Sequence, residues 1–274
     1  MTWWCSATSA EWSWTWRPYP GVWLFALALL AWYALTLRRS AATPLRPYAG
    51  TPLRPLSFAV AAVLLWLSLD WPVGALGAGY LLSVHTTQYV IITTVLVPLL
   101  LIGIPPELRP RGAFARFMAG AAPGLLGYTA VMAVTHVPSV SDALMATQAG
   151  SLVVDLAWIG GAIALWWPVL APEGVARISP PLRVGYLFLA TIPPTIPAAF
   201  MVFSDYPLYA TYELAPRVAG IAAGSDQQTA GLIMKAGADP LLWISMAIVF
   251  FRWQRAEDAA ERRARSLSPQ ETAS

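Results

Sequence analysis

Seven apolar runs follow one another along the chain, and charged residues separate each run from the next. The hydrocarbon core of a membrane is about 30 Å thick, so roughly 20 apolar residues of helix are needed to cross it. The pattern therefore predicts an all-α bundle of seven transmembrane helices. The predicted spans are 20–37, 56–69, 77–104, 115–135, 149–170, 182–203 and 229–251.

The composition of the 274-residue chain supports a polytopic membrane protein. Apolar residues make up 57% and charged residues only 11%, whereas a soluble domain carries about 25% charged residues. The single cysteine excludes both an intramolecular disulfide and a metal site built from several cysteines. Any metal must therefore be held by His, Met or carboxylate ligands.

The positive charges alternate between loops, which predicts the orientation of the bundle. Arginines are abundant in every second loop and in the C-terminal tail, whereas the opposite loops hold only Arg17 and Arg217. The basic side contains Arg38, Arg39, Arg46, Arg54, Arg109, Arg111, Arg116, Arg177, Arg183, Arg252, Arg255, Arg262, Arg263 and Arg265. By the positive-inside rule the N-terminus lies outside and the C-terminus in the cytoplasm.

This topology divides the chain into three parts. Residues 1–19 form an extracytoplasmic N-terminal segment, residues 20–252 one transmembrane domain, and residues 253–274 a cytoplasmic tail. Because topology explains the basic loops, membrane lipid is an expected partner and nucleic acid is not. The sequence TIPPTIP of the sixth span also predicts a broken helix, since proline removes a backbone donor.

A few polar and sulfur-containing residues lie inside the spans, and the predicted orientation puts all of them in the outer half of the membrane. Ionisable residues in a bilayer are costly and usually mark a site or an ion pair. The residues are His85, His136, Asp155, Met201, Asp226, Gln227, Gln228, Met234 and Lys235. They come from five different spans, so we expect them to converge.

Two hypotheses account for this cluster. Imidazole and thioether groups are good copper ligands, so His85, His136, Met201 and Met234 could form a copper site of low coordination number. In the structural alternative, Asp155 and Lys235 neutralise each other and the histidines bond to backbone carbonyls.

A third hypothesis follows from the lysine in the last of seven spans. Lys235 could form a Schiff base with retinal, with Asp155 or Asp226 as the counter-ion. The third span lacks the acidic residues that such a protein would place there. The chain contains no phosphate-binding loop, nucleophile elbow, zinc-protease or dinucleotide motif, so we expect no catalytic residues and no enzymatic activity.

Five motifs together resemble one known family. In chain order they are SVHTTQYVIITTVLVPLLLIGIPP, VTHVP, ALWWPVLAP, FSDYPLYATY and SDQQTAGLIMK. They are similar to the Bacillus-type, polytopic CtaG family of caa3-type cytochrome c oxidase assembly factors. The resemblance extends over about residues 23–253.

The resemblance implies a multi-pass protein of the bacterial cytoplasmic (inner) membrane that serves the respiratory chain. Such a protein assists maturation of a haem–copper oxidase, whose subunits are its partners, by helping copper to reach the oxidase. Carried over residue by residue, the family motifs correspond to His85, His136, Asp226, Gln227 and Met234. A stably bound, non-catalytic subunit of a respiratory complex is the alternative.

The sequence departs from the family pattern at three positions. Tyr89 replaces the second imidazole of an H-x-x-x-H pattern, Asp155 stands where a histidine is common, and Lys235 replaces an apolar residue. The loss of two imidazoles and the gain of two opposite charges suggest that an Asp155–Lys235 salt bridge has replaced part of a metal site.

Overall fold

The computed structural model describes residues 2–41, 53–172 and 174–267, and within these ranges it is helical with no β-strand. The first half contains α1 Pro20–Ala41, α2 Leu53–Leu69, α3 Val73–Gly79, α4 Leu82–Val90, α5 Val97–Gly103, α6 Ala113–Met118 and α7 Ala121–Thr135. The second half contains α8 Pro138–Met145, α9 Gln148–Leu170, α10 Pro180–Ala190, α11 Thr195–Phe203, α12 Ala210–Glu213, α13 Ala223–Leu232 and α14 Ala238–Leu267.

Two π-helical segments join consecutive helices into longer ones. Ile91–Leu96 connects α4 to α5, and Ile233–Gly237 connects α13 to α14. A π turn changes the hydrogen-bonding register of a helix. Side chains form hydrogen bonds with carbonyls in the first segment and just before it. The Thr93 hydroxyl donates to the Tyr89 carbonyl at 2.7 Å, and the Trp166 indole N–H donates to the Thr93 carbonyl at 2.7 Å.

Several of these helices are long and apolar enough to cross a membrane, which confirms an all-α multi-pass protein. Five qualify within the described ranges, and a sixth does if α2 and α3, bent by 49°, count as one span. The five are Pro20–Arg39, Leu82–Gly103, Gln148–Leu170, Pro180–Phe203 and Ala223–Arg265. The predicted fourth span corresponds to α7, an apolar helix of only 15 residues. The count of seven and the orientation therefore stay predictions.

The structure corrects two predicted span boundaries. The third span begins at Leu82 rather than at residue 77, because the backbone is extended at Leu81 and Gly77 belongs to α3. The seventh begins at Ala223 rather than at residue 229, so the polar residues before Thr229 lie within the helix. Arg46 and tail residues 268–274 lie outside the described residues.

The sixth span is broken where TIPPTIP predicts it. Helix α10 ends at Ala190 and α11 begins at Thr195. The break leaves the Thr191 carbonyl without a helical donor. It accepts instead from the Thr195 hydroxyl at 3.1 Å and from Lys235 Nζ at 3.0 Å. A lysine of the neighbouring span thus satisfies a backbone group that lipid could not.

Helices α7 and α9 pack closely, and glycine makes this contact possible. A Cβ atom added at Gly124 would lie 2.5 Å from Pro168 Cγ and 2.8 Å from the Ala164 carbonyl oxygen. Small residues allow such close approach between membrane helices. On the exposed face of α9, by contrast, a Cβ at Gly160 would meet no atom within 4 Å.

We expect Gly124→Ala to lower the free energy of unfolding by about 1–3 kcal/mol, because the added methyl overpacks the α7–α9 contact. Gly160→Ala is the matched control and leaves stability unchanged or slightly higher, since it adds the same methyl in open space. Unfolding in mixed micelles monitors both variants. Equal stability of the two would contradict the close packing.

Candidate functional site

Several of the candidate residues, among them His85, His136 and Asp226, lie at the end of the bundle where α4, α9 and α13 begin and α7 ends, which we call the α4 end. Two tyrosines from the segment between the sixth and seventh spans form hydrogen bonds with other segments at this end. The Tyr209 hydroxyl donates to the His136 carbonyl at 3.0 Å, and the Tyr212 hydroxyl donates to the Gly77 carbonyl at 2.8 Å. These bonds hold distant parts of the chain in one arrangement.

Asp226 caps the start of α4. Its carboxylate accepts from the Leu82 amide at 2.6 Å and from the Ser83 amide at 3.3 Å, and the Ser83 hydroxyl also donates to it. The first amides of a helix have no partner within the helix, and a carboxylate also favours the positive end of the helix dipole. Asp226 therefore joins the seventh span to the third through backbone groups.

Gln227 joins the seventh span to the sixth. Its side-chain carbonyl accepts from the Leu208 amide at 2.6 Å, and its amide nitrogen lies 3.3 Å from the carbonyl oxygens of both Met201 and Tyr206. Gln228, the next residue, is exposed. Of the three adjacent polar residues, two hold the fold together at the α4 end.

His85 is buried, with 8% of its surface exposed. Its imidazole packs on the Trp158 ring at 4.7 Å and on the Tyr212 ring at 5.7 Å between centroids. Within the described part of the chain, no side chain or carbonyl forms a hydrogen bond with the ring. Buried polar groups normally have such a partner, so the ring has unused bonding capacity.

His136 directly follows α7, and its Nδ1 contacts both the Met132 carbonyl and, at 3.4 Å, the Thr135 hydroxyl. Its Nδ1 lies 2.8 Å from the Met132 carbonyl oxygen. A carbonyl can only accept, so Nδ1 carries the hydrogen, and in the neutral ring Nε2 keeps its lone pair. A backbone bond of this kind also orients metal-binding histidines.

Tyr89 and Trp158 lie between the two histidines. The Tyr89 ring is 5.0 Å from the His136 ring and 5.3 Å from the Trp158 ring, which in turn contacts His85. The Tyr89 hydroxyl is 3.0 Å from the Tyr128 hydroxyl. The position of the second imidazole in the resembled motif is thus filled by a tyrosine that is bonded to a neighbouring helix.

Met201 and Met234 are also fully buried, with 1% and 0% of their surface exposed. Met201 belongs to α11 and Met234 to the π-helical segment Ile233–Gly237. No group of three or more His, Cys, Asp or Glu side chains in the described residues is placed to hold a metal. The copper site of two histidines and two methionines stays a prediction.

The Asp155–Lys235 salt bridge expected as the structural alternative is wrong. Asp155 instead accepts from the Trp4 indole N–H at 2.8 Å. Lys235 pairs with Asp239, one helical turn further on, at 2.8 Å and donates to the Thr191 carbonyl. Each side chain therefore has its own partner, and the two do not form a salt bridge with one another.

The N-terminal segment contributes to the α4 end, which the sequence did not predict. Trp4 and Cys5 are buried, with 2% and 3% of their surface exposed, although residues 1–19 were expected to lie outside the bundle. The Ala7 amide also donates to the Met145 carbonyl at 2.9 Å. A contact between residues about 150 positions apart has no spacing signature, so no sequence pattern could have shown it.

Comparison with known proteins decides the family. A family model described as cytochrome c oxidase caa3 assembly factor (CtaG) matches residues 31–256, which is most of the chain. The chain belongs to the CtaG family. Neither the comparison with curated proteins nor that with solved structures gives a match.

The family match covers every candidate residue named from the sequence, but it does not cover the N-terminal segment. His85, His136 and Asp226 lie within residues 31–256 of this CtaG protein, whereas Trp4 and Cys5 precede them. The contacts of Trp4 and Cys5 with the α4 end are therefore features of this chain beyond the family match.

In this CtaG protein we expect Asp226→Ala to lower the free energy of unfolding by about 2 kcal/mol or more, because the buried Leu82 amide and the partly buried Ser83 amide lose their acceptor. Gln228→Ala, two positions away on the same helix and exposed, is the control and changes stability by less than about 0.5 kcal/mol. Thermal unfolding in detergent measures both. An unchanged free energy of unfolding in Asp226→Ala would show that the cap is not needed for stability.

A double-mutant cycle tests the partner of Asp155 in this CtaG protein. Trp4→Phe and Asp155→Ala remove the same hydrogen bond. The double variant should therefore lower the free energy of unfolding by about 1 kcal/mol less than the sum of the two single variants. The effects of Lys235→Ala and Asp155→Ala on the free energy of unfolding should instead be additive. Rescue of Asp155→Ala by Lys235→Ala would contradict the observed pairing.

Proposed function

We propose that the chain helps copper to enter a haem–copper oxidase from the outer side of the bacterial cytoplasmic membrane. Membership of the caa3 oxidase assembly factor family supplies the context. The observation that supports a copper role is the presence of two imidazoles at the α4 end, the buried His85 and the partly buried His136. His85 has no hydrogen-bond partner there, and His136 keeps Nε2 free.

The residue types suit copper as a cargo. Neutral imidazole and thioether are ligands of Cu(I), and thioether in particular favours it over harder metals. We therefore keep His85, His136, Met201 and Met234 as the proposed transfer ligands. The bond from His136 Nδ1 to the Met132 carbonyl favours binding through Nε2.

The departures from the family pattern fit a carrier that gives up its metal. Tyr89 and Asp155 remove two potential imidazole ligands, and their side chains are bonded to Tyr128 and Trp4. Fewer ligands bind copper less tightly, which suits transfer to an oxidase subunit. In this proposal the chain acts by binding and release, and we assign it no catalytic residue.

The second candidate function is a permanent, non-catalytic subunit of a respiratory complex. The observation that favours it is the use of Asp226, Gln227 and Asp155 as internal partners of backbone and indole groups. Under this hypothesis the polar residues serve only the fold. Co-purification with an oxidase in fixed stoichiometry would support it, whereas transient association supports the assembly role.

The copper-to-haem ratio of the oxidase tests the assembly role. In a bacterial strain with a caa3-type oxidase and without this gene, we expect purified oxidase to keep its haem and to lose copper. The wild-type gene restores the ratio, and His85→Ala combined with His136→Ala does not.

Gln228→Ala, which removes an exposed side chain at the same end, is the control and restores the ratio fully. Membrane levels of each variant are measured by immunoblot, so that loss of protein is separated from loss of function. An oxidase with normal copper in the deletion strain would overturn the proposed function.

A further inference from the structure

The indole ring of Trp158, in α9, is part of a continuous row of aromatic rings that joins the two histidines. It lies 4.7 Å from the His85 ring and 5.3 Å from the Tyr89 ring, and the Tyr89 ring lies 5.0 Å from the His136 ring. Aromatic pairs at these centroid distances attract one another. Trp158 is fully buried, with 1% of its surface exposed. Its ring therefore supports His85 directly and His136 through Tyr89.

The indole N–H of Trp158 makes a second connection to His136. It donates to the Thr135 hydroxyl at 3.2 Å. Thr135 is the last residue of α7, and His136 follows it directly. A buried indole N–H needs an acceptor, and any nearby carbonyl would serve a tryptophan that only filled the core. The acceptor here is instead a hydroxyl that also contacts the His136 ring.

The Thr135 hydroxyl has a partner for its hydrogen and for each of its lone pairs. It donates its single hydrogen to the Val131 carbonyl at 2.8 Å, which leaves two lone pairs on the oxygen. Trp158 donates to one of them, and His136 Nδ1 lies 3.4 Å from the same oxygen. Nδ1 carries the hydrogen that bonds to the Met132 carbonyl, so this longer contact uses the second lone pair.

The bond from Trp158 selects one conformation of Thr135. A threonine in a helix divides between two χ1 rotamers, because its hydroxyl can bond to either of two preceding carbonyls. The indole N–H favours the rotamer that places the hydroxyl beside His136. With its Nδ1–H directed at the Met132 carbonyl and the Thr135 oxygen, the His136 ring keeps its free lone pair on Nε2.

We propose that Trp158 is the positioning residue for both imidazoles of the proposed copper site. Its ring limits the movement of His85, and its N–H holds the Thr135 hydroxyl against the His136 ring. Both imidazoles are thus placed before copper binds. Groups that orient metal-binding histidines in this way change metal affinity without touching the metal. The inference deepens the proposed function, on which it rests for the role of His85 and His136 as copper ligands.

Nitrogen-15 NMR of the histidine rings tests the positioning in the absence of copper. The full-length chain is labelled at histidine and studied in mild detergent. It contains only two histidines, so one His85→Gln sample assigns both sets of signals. For wild type we expect a single neutral form of His136 with the hydrogen on Nδ1.

Two substitutions of Trp158 separate the roles of its ring and its N–H. Trp158→Phe keeps a ring beside His85 but removes the N–H, so it should shift and broaden the His136 signals more than those of His85. Trp158→Leu removes the ring as well and should alter the signals of both histidines.

Thr135→Val tests whether Trp158 acts through the hydroxyl, because valine has the shape of threonine without that group. It should change the His136 signals as Trp158→Phe does, and the double variant should show no further change, since both substitutions remove the same bond. Trp167→Phe is the matched control. It removes an indole N–H that donates to the Ala115 carbonyl at 2.8 Å, nine residues further along α9, and should leave both sets of signals unchanged.

The affinity for Cu(I) is the second readout. Cu(I) is titrated into each variant in competition with a coloured Cu(I) chelator, under anaerobic and reducing conditions. Trp158→Phe and Thr135→Val should each weaken Cu(I) binding by about tenfold, whereas Trp167→Phe should bind as wild type does. Size-exclusion and thermal unfolding establish that each variant is folded, and Thr135→Val carries the test if Trp158→Phe unfolds.

The failure of the positioning role and that of the proposed function give different results. Histidine signals that stay unchanged in Trp158→Phe and Thr135→Val, or that change equally in Trp167→Phe, would overturn the positioning role. Equal Cu(I) affinity of wild type and both variants would overturn it too. If the signals respond as expected and wild type binds no Cu(I), Trp158 positions the two rings and the proposed copper ligands are wrong.

Discussion

Backbone groups at the breaks of membrane helices need partners from the protein, because lipid offers no hydrogen bonds. Several side chains inside the spans meet this requirement. Asp226 serves the amides that begin α4, and Lys235 serves the carbonyl freed at the end of α10. Trp166 does the same for Thr93 in the π-helical segment Ile91–Leu96. Each partner comes from a span other than the one it serves, so satisfying the backbone also joins the spans to one another.

The fold could largely be predicted because its main determinant is local. Apolar runs of sufficient length become helices in a membrane, and prolines in TIPPTIP break one of them whatever surrounds them. The start of α4 at Leu82 could not be predicted in the same way, since residues 77–82 are apolar and continue the run without interruption. That boundary depends on a carboxylate 144 positions away. Long-range bonds of this kind leave no trace in hydropathy.

The candidate site shows the same limit. Residue type singled out His85 and His136, and the His85 ring packs on Trp158 while the His136 ring packs on Tyr89. It also suggested that Asp155 and Lys235 attract one another, because opposite charges in a membrane are expected to pair. The structure shows that a charge can be satisfied by an indole or a carbonyl instead. Counting charges therefore predicts that partners exist, but it does not predict which partners they are.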